Sequence, residues 1–193
     1  MAAASAGRHS GSEGREPISV GIITVSDKSS GGERPDESGE VIRQVVVAAG
    51  ASVAAYALVP DQRDQIAAQI RGMADERGLD VVFTTGGTGL SPRDVTPQAT
   101  LSAIDYQVPG LAEAMRAESR KVTPAAMTSR AVAGVRGRSL VVNLPGSPRG
   151  VRECLDVIMP AIPHAVGVMR GEVGEHSRPG PRVSEPPRHQ GHP

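Results

Sequence analysis

The run Ile18 to Val25, ISVGIITV, shows no polar alternation, so as a strand it must be covered on both faces. A strand of that kind belongs in the middle of a parallel sheet, and the N-terminal half supplies the helices to cover it. A polar loop, Ser26 to Pro35, leads to Asp36 or Ser38 as a helix cap. Val41, Ile42, Val45 and Val46 then recur at helical spacing, with Gly50 as the stop. Ser52 to Val59 is apolar and strand-like and is broken by Pro60. After Asp61, the residues Ile66, Ile70, Met73 and Ala74 share one helical face as far as Gly78, and Asp80 to Thr85 (DVVFTT) forms a third strand. Strand, helix, strand, helix, strand within about seventy residues predicts an α/β fold, three-layer and doubly wound, with a mostly parallel sheet and helices on both faces.

The second half reads as more helical. Pro97 stands at a first helical position after Thr96, a helix runs from about Gly110 to Lys121, and a short one starts at Pro124. Ser139 to Leu144 (SLVVNL) is a further buried strand, and a last helix from Pro148 toward Arg170 is bent or interrupted by Pro160 and Pro163. Residues 1–16 and 175–193 lack any apolar periodicity and are expected to be disordered tails around one folded unit, 17–174.

Composition removes several functions. Aromatic residues are 2% of the 193, too few for a base-stacking platform, and 21 basic against 21 acidic residues argue against a general binder of nucleic acid. A single cysteine, Cys154, excludes an internal disulfide and fits a reducing, cytoplasmic setting. Only His164 among five histidines lies in the body of the chain, which leaves no ordinary zinc site. Neither a secretory signal nor the roughly 20-residue apolar run of a membrane helix is present. Cys154 and His164 both fall on apolar helical faces and are read as packing residues. The zero net charge is also uneven. Residues 116–152 hold eight basic side chains and one acid, whereas 27–80 hold ten acids and six bases.

Ligands of open α/β sheets bind beyond the carboxyl ends of the strands. The loops that qualify are Ser26-Asp27-Lys28, Pro60-Asp61, Gly86 to Thr96, and Pro145 to Pro148. The turn Gly86-Gly87-Thr88-Gly89, flanked by Thr85, can present several N–H groups and hydroxyls to a phosphate, and it serves equally well as a plain strand-to-loop turn. It is neither a Walker A loop nor a dinucleotide fingerprint. Asp94 and Asp61 lie at the same sheet edge. Carboxylates beside a phosphate call for a cation between them, and Mg²⁺ is the usual one. For each residue a local role stands next to that one: Asp61 suits a helix N-cap, and Asp94 can order its loop. Pro145-Gly146-Ser147-Pro148 reads either as an anion site at a helix N-terminus or as a simple turn.

Thr84-Thr85-Gly86-Gly87-Thr88-Gly89, then Pro92-Arg93-Asp94-Val95-Thr96-Pro97, with Ser26-Asp27 upstream and Asn143-Leu144-Pro145-Gly146-Ser147-Pro148 downstream, resembles the MogA/MoaB family of molybdenum cofactor biosynthesis. The likeness covers about Ile18 to Arg170. It implies a molybdopterin-binding fold, usually a homotrimer. In the MogA branch it implies adenylylation of molybdopterin by Mg-ATP, the product passing to a molybdate-inserting enzyme. By the same resemblance Asp61 and Asp94 are the catalytic acids and Mg²⁺ ligands. Thr85, Gly86, Gly87, Thr88 and Gly89 hold the molybdopterin phosphate, and Ser26, Asp27, Arg93, Thr96, Asn143, Pro145, Gly146, Ser147 and Pro148 complete the site. Gln98 and Gly150 depart from the family pattern without removing a reacting group. A MoaB-like protein that binds molybdopterin without efficient turnover is the alternative; retention of both aspartates favours the enzyme.

Overall fold

The computed structural model describes residues 16–32 and 35–172; the expected disordered tails lie outside the described residues, save Glu16. The strands are β1 (Ser19–Val25), β2 (Ser52–Val59), β3 (Val81–Thr85), β4 (Tyr106–Gln107), β5 (Ala133–Arg136) and β6 (Ser139–Leu144). The helices are α1 (Asp27–Ser30), α2 (Glu37–Ala48), α3 (Arg63–Arg71), α4 (Thr96–Ala103), α5 (Pro109–Val122), α6 (Pro148–Ile158) and α7 (Ile162–Arg170). The six strands form one sheet in the order β2-β1-β3-β6-β5-β4. β2, β1, β3 and β6 are parallel, whereas β5 and β4 are antiparallel additions at one edge.

The apolar β1 is an interior strand between β2 and β3, one strand from the sheet edge and covered on both faces. Val20 and Ile22 pack into a core with α2, α5, α6 and α7, while Ile23 and Val25 point the other way into a core with α3 and α4. Alternate residues of β3 and β6 divide between the same two layers, Phe83 and Val142 on one side and Val82 and Val141 on the other. The fold is therefore the predicted three-layer arrangement with helices on both faces. Four elements differ from the sequence reading. The Ser26-to-Pro35 loop contains the one-turn α1, Thr96 rather than Pro97 is the first residue of α4, and the antiparallel pair β4 and β5 was not anticipated. The predicted interruption of the last helix is a 3₁₀ turn, Met159–Ala161, that separates α6 from α7.

At the N-terminal ends of the strands, an ion pair fastens the C-terminal helix to the sheet. Arg170 at the end of α7 donates through Nε to Asp80 Oδ1 at 2.8 Å and through Nη2 to Oδ2 at 2.6 Å, and the Ser19 N–H and hydroxyl also donate to Oδ2. Burial on its own raises the Asp80 carboxyl, but the guanidinium and the two Ser19 donors outweigh it and hold the group below the usual aspartate range. A depressed folded-state pKa contributes stability above the unfolded pKa, and the contribution is lost as pH falls through the folded value. Asp80→Asn is thus expected to cost about 2 kcal/mol in urea unfolding at pH 7, a difference that shrinks as the pH drops below about 4. A pH-independent cost would place the stabilisation elsewhere.

Candidate active site

The order β2-β1-β3 sends successive crossovers to opposite sides of β1, which opens a crevice beyond the carboxyl ends of β1 and β3. Paired registers of Thr24 with Thr85 and of Thr85 with Leu144 bring the loops after β1, β3 and β6 to one edge. The glycine turn forms the middle of that edge. Gly86 and Gly87 have φ of 98° and 62°, the left-handed region that favours glycine. A Cβ on Gly86 would overlap the Val25 carbonyl oxygen, and one on Gly87 would lie 2.5 Å from Thr96 Oγ1 and 3.1 Å from Asp61 Oδ1. Gly146 is packed against Gly86, so that its own Cβ would meet the Gly86 Cα at 3.3 Å.

The turn is held from below. The Gly86 N–H donates to the Leu144 carbonyl, the Thr96 N–H to the Gly87 carbonyl, and the Thr85 hydroxyl to the Pro145 carbonyl at 2.7 Å. Among the described residues no acceptor meets the N–H groups of Gly87, Thr88 or Gly89. Three consecutive unengaged donors make a nest suited to an anion.

A cavity lies on each side of this turn. The smaller, about 250 Å³, is a polar cleft that gathers Ser26, Asp61, Thr85, Gly86, Gly87, Asp94 and Gly146 from the predicted set. The larger, about 470 Å³ and mainly apolar, opens between α5, α6 and the 3₁₀ turn Pro124–Thr128; it takes in Thr88, Gly89, Asn143, Pro145 and Ser147. Arg116 and Arg149 flank this second cavity, whose wall also includes Ser119, Ser129 and Cys154. Burial pushes the Cys154 thiol up, which disfavours its thiolate.

Carboxylates dominate the cleft. Asp27 and Asp61 brace each other, the Asp27 N–H donating to Asp61 Oδ2 at 3.1 Å and the Asp61 N–H to Asp27 Oδ1 at 3.0 Å. The N-cap reading of Asp61 is thereby corrected. Gln62, not Asp61, stands at the cap of α3 and makes no side-chain capping bond, while the Asp61 carboxylate is turned toward α1. Burial raises the Asp61 carboxyl, and the neighbouring charges of Asp27 and Asp94 add to the effect. The Asp27 carboxyl is lowered by the Asp61 N–H and by Arg93, with which it forms an exposed ion pair; neither residue lines the cleft itself. Asp94 Oδ2 accepts from the Ser91 N–H at 2.9 Å, so this carboxylate does order its own loop while facing the cleft.

Thr96, fully buried beneath Gly87, is the one residue among those described whose buried side-chain oxygen has no partner. Asn143 is also fully buried. Its amide donates to Thr84 Oγ1 and Thr100 Oγ1, both at 2.8 Å, and its Oδ1 accepts from the Val132 N–H. Every polar atom of the Asn143 side chain is engaged in tying β3, α4 and the start of β5 together. Ser26 and Ser147 cap α1 and α6, accepting from Ser29 and Gly150, and Pro148 is the first residue of α6.

Sequence reasoning missed Asp36 as a cleft residue. It caps α2 through the Gly39 N–H at 2.9 Å, accepts from Thr24 and Tyr56, and lines the cleft beside Asp61. Its signal was visible, since a helix that follows β1 begins at the same sheet edge as the other loops. Arg130 was missed as well, and no local motif marked it.

The chain matches the family model described as "probable molybdopterin binding domain" over residues 21–164. It belongs to that family. A molybdopterin adenylyltransferase of Helicobacter pylori (strain J99) is 41% identical over 158 residues, covering 81% of this chain and 90% of its own, and that of Escherichia coli K12 is 34% identical over 75% of each. The crystal structure of a molybdopterin biosynthesis enzyme, MoaB of Thermus thermophilus, is 52% identical and superposes with a TM-score of 0.76 over 80% of this chain and 97% of its own. The glycine turn and the two cavities beside it lie within the matched residues.

Mg²⁺ suits the cleft. Among the described residues no group of three or more His, Cys, Asp or Glu side chains converges as a metal cage. Mg²⁺ is ordinarily held by one or two carboxylates together with substrate phosphates, and the cleft offers Asp61 and Asp94 for that role.

Proposed function

We propose that this protein transfers the adenylyl group of Mg-ATP to the terminal phosphate of molybdopterin, releasing pyrophosphate and adenylyl-molybdopterin. The observation that carries the reading is the turn Gly87 to Gly89, with its N–H groups unengaged, set between a mainly apolar cavity and a cleft of carboxylates. An apolar cavity flanked by Arg116 and Arg149 suits a pterin that ends in a phosphate. The phosphate would rest on the turn, and the triphosphate would occupy the cleft. Both reactants are polyanions, so an acidic cleft accepts one only with its cation.

In the reaction a molybdopterin phosphate oxygen forms a bond to the α-phosphorus while the bond from that phosphorus to the bridging oxygen of pyrophosphate breaks. Magnesium brought in with ATP would be held by Asp61 and Asp94 and would neutralise charge on the transferring group. The chain's own contribution is placement. The nest fixes the attacking phosphate, Asp27 holds Asp61 in position, and Ser91 orients Asp94. The names of the relatives, molybdopterin adenylyltransferases from several bacteria, support the same reading.

The proposal extends to a cytoplasmic homotrimer that passes its product to a molybdate-inserting enzyme. Leu90, Tyr106 and Met127, each more than half exposed, provide apolar surface for contacts between copies. No helix among the described residues is long and apolar enough to cross a membrane. The deciding experiment incubates the purified protein with molybdopterin and Mg-ATP. Stoichiometric pyrophosphate and adenylyl-molybdopterin are expected; molybdopterin binding without pyrophosphate would reduce the protein to a carrier. Light scattering tests the trimer.

A further inference from the structure

The segment 88–96 leaves the glycine turn, carries Arg93 and Asp94, and ends where α4 begins at Thr96. The bond from the Ser91 N–H to Asp94 Oδ2 is internal to this segment. It sets the side chain against its own loop and leaves the loop's position on the sheet to other contacts. The ion pair of Arg93 with Asp27 has side chains 65% and 45% exposed, and a surface pair of that kind contributes little.

Arg130 supplies the missing tie. Its Nε donates to the Gly89 carbonyl at 2.7 Å and its Nη2 to the Asp94 carbonyl at 2.5 Å, while its own N–H donates to the Thr88 carbonyl at 3.0 Å. One half-buried planar fork thus spans the loop from the glycine turn to the backbone of Asp94. Charged donors on carbonyls are the stronger kind of hydrogen bond, and a lysine could not hold two carbonyls in this fixed geometry. The backbone around Arg130 is anchored too: the Ala131 carbonyl accepts from Arg116, and the Val132 N–H donates to Asn143. Ser129, its neighbour, lines the larger cavity, whereas Asp94 lines the cleft.

We infer that Arg130 is a positioning residue for the transfer reaction, the clamp that sets the Asp94 carboxylate against the glycine turn and thereby aligns the two cavities. The inference rests on the transferase reading for its kinetic consequence, though its structural consequence stands apart. In the full-length protein, Arg130→Ala and Arg130→Lys are expected to lower kcat about 100-fold, with KM for Mg-ATP and molybdopterin within about threefold of wild type. Free guanidinium should restore part of the turnover of the alanine variant. Amide hydrogen exchange at Ser91 and Asp94 should accelerate in both variants, while exchange in β1 and β3 stays unchanged.

Unchanged kcat, or lost kcat with wild-type exchange at Ser91 and Asp94, would overturn the clamp. If the alanine variant fails to fold, the lysine variant is read by the same criteria, guanidinium rescue apart. If the wild-type protein releases no pyrophosphate, the transferase reading fails on its own, and loop exchange still decides whether Arg130 holds Asp94.

Discussion

Replacing Asp94 with asparagine is expected to lower pyrophosphate release from molybdopterin and Mg-ATP by about 10²–10³-fold, the scale on which one electrostatic group is removed from a transition state. Asparagine is the sharper substitution because Asp94 does two things. Its Oδ2 accepts from the Ser91 N–H, which shapes the loop, and its charge faces the cleft. The amide oxygen of asparagine can keep the first contact while the charge is lost. Asp94→Ala removes both and should be at least as inactive, with faster exchange at Ser91. Thermal melting of the asparagine variant should match wild type, since the carboxylate lies at an open cleft outside both cores. Full turnover by Asp94→Asn would mean that the charge takes no part in the reaction.

Gly86→Ala is expected to be the most destabilising exchange in the glycine turn. A methyl group there overlaps the carbonyl oxygen of Val25, which cannot withdraw because it belongs to β1, a strand paired on both sides. The φ of 98° adds strain for any L side chain. The cost should be about 3 kcal/mol, a fall in melting temperature of about 6–12 °C, together with loss of activity as the nest deforms. Gly50→Ala is the matched control, with a φ of 82° and nothing within 4 Å of the added methyl; it should cost about 1 kcal/mol. Equal losses at the two positions would show that close packing around Gly86 adds nothing.

Much of the parallel sheet could be read from the chain because its strands are continuous apolar runs. ISVGIITV and SLVVNL have nowhere to go but a two-sided interior. The antiparallel edge could not be read in the same way. Tyr106–Gln107 is two residues long, and Ala133–Arg136 is four, with Ala and Gly at its start, and is held as a strand by pairing with β6. The site divides similarly. The glycine turn and both aspartates announce themselves by residue type and by their place after strands. Asn143 lay in the right motif, yet its amide is consumed by the fold, and sequence position alone cannot distinguish a group facing a ligand from one facing Thr84 and Thr100. Arg130 lies 36 residues from the Asp94 carbonyl it holds, a separation that no local pattern can bridge.

The back-to-back placement of the two cavities bears on what happens after the bond is made. On the proposed assignment, a product that joined the contents of both would be anchored at two points separated by one short turn. When one end lets go, the other keeps it at a high effective concentration for rebinding, on the order of millimolar for short flexible tethers. Departure into bulk water would then be slow relative to either half alone, and an acceptor that drew the product away by one end would have a kinetic advantage over simple diffusion.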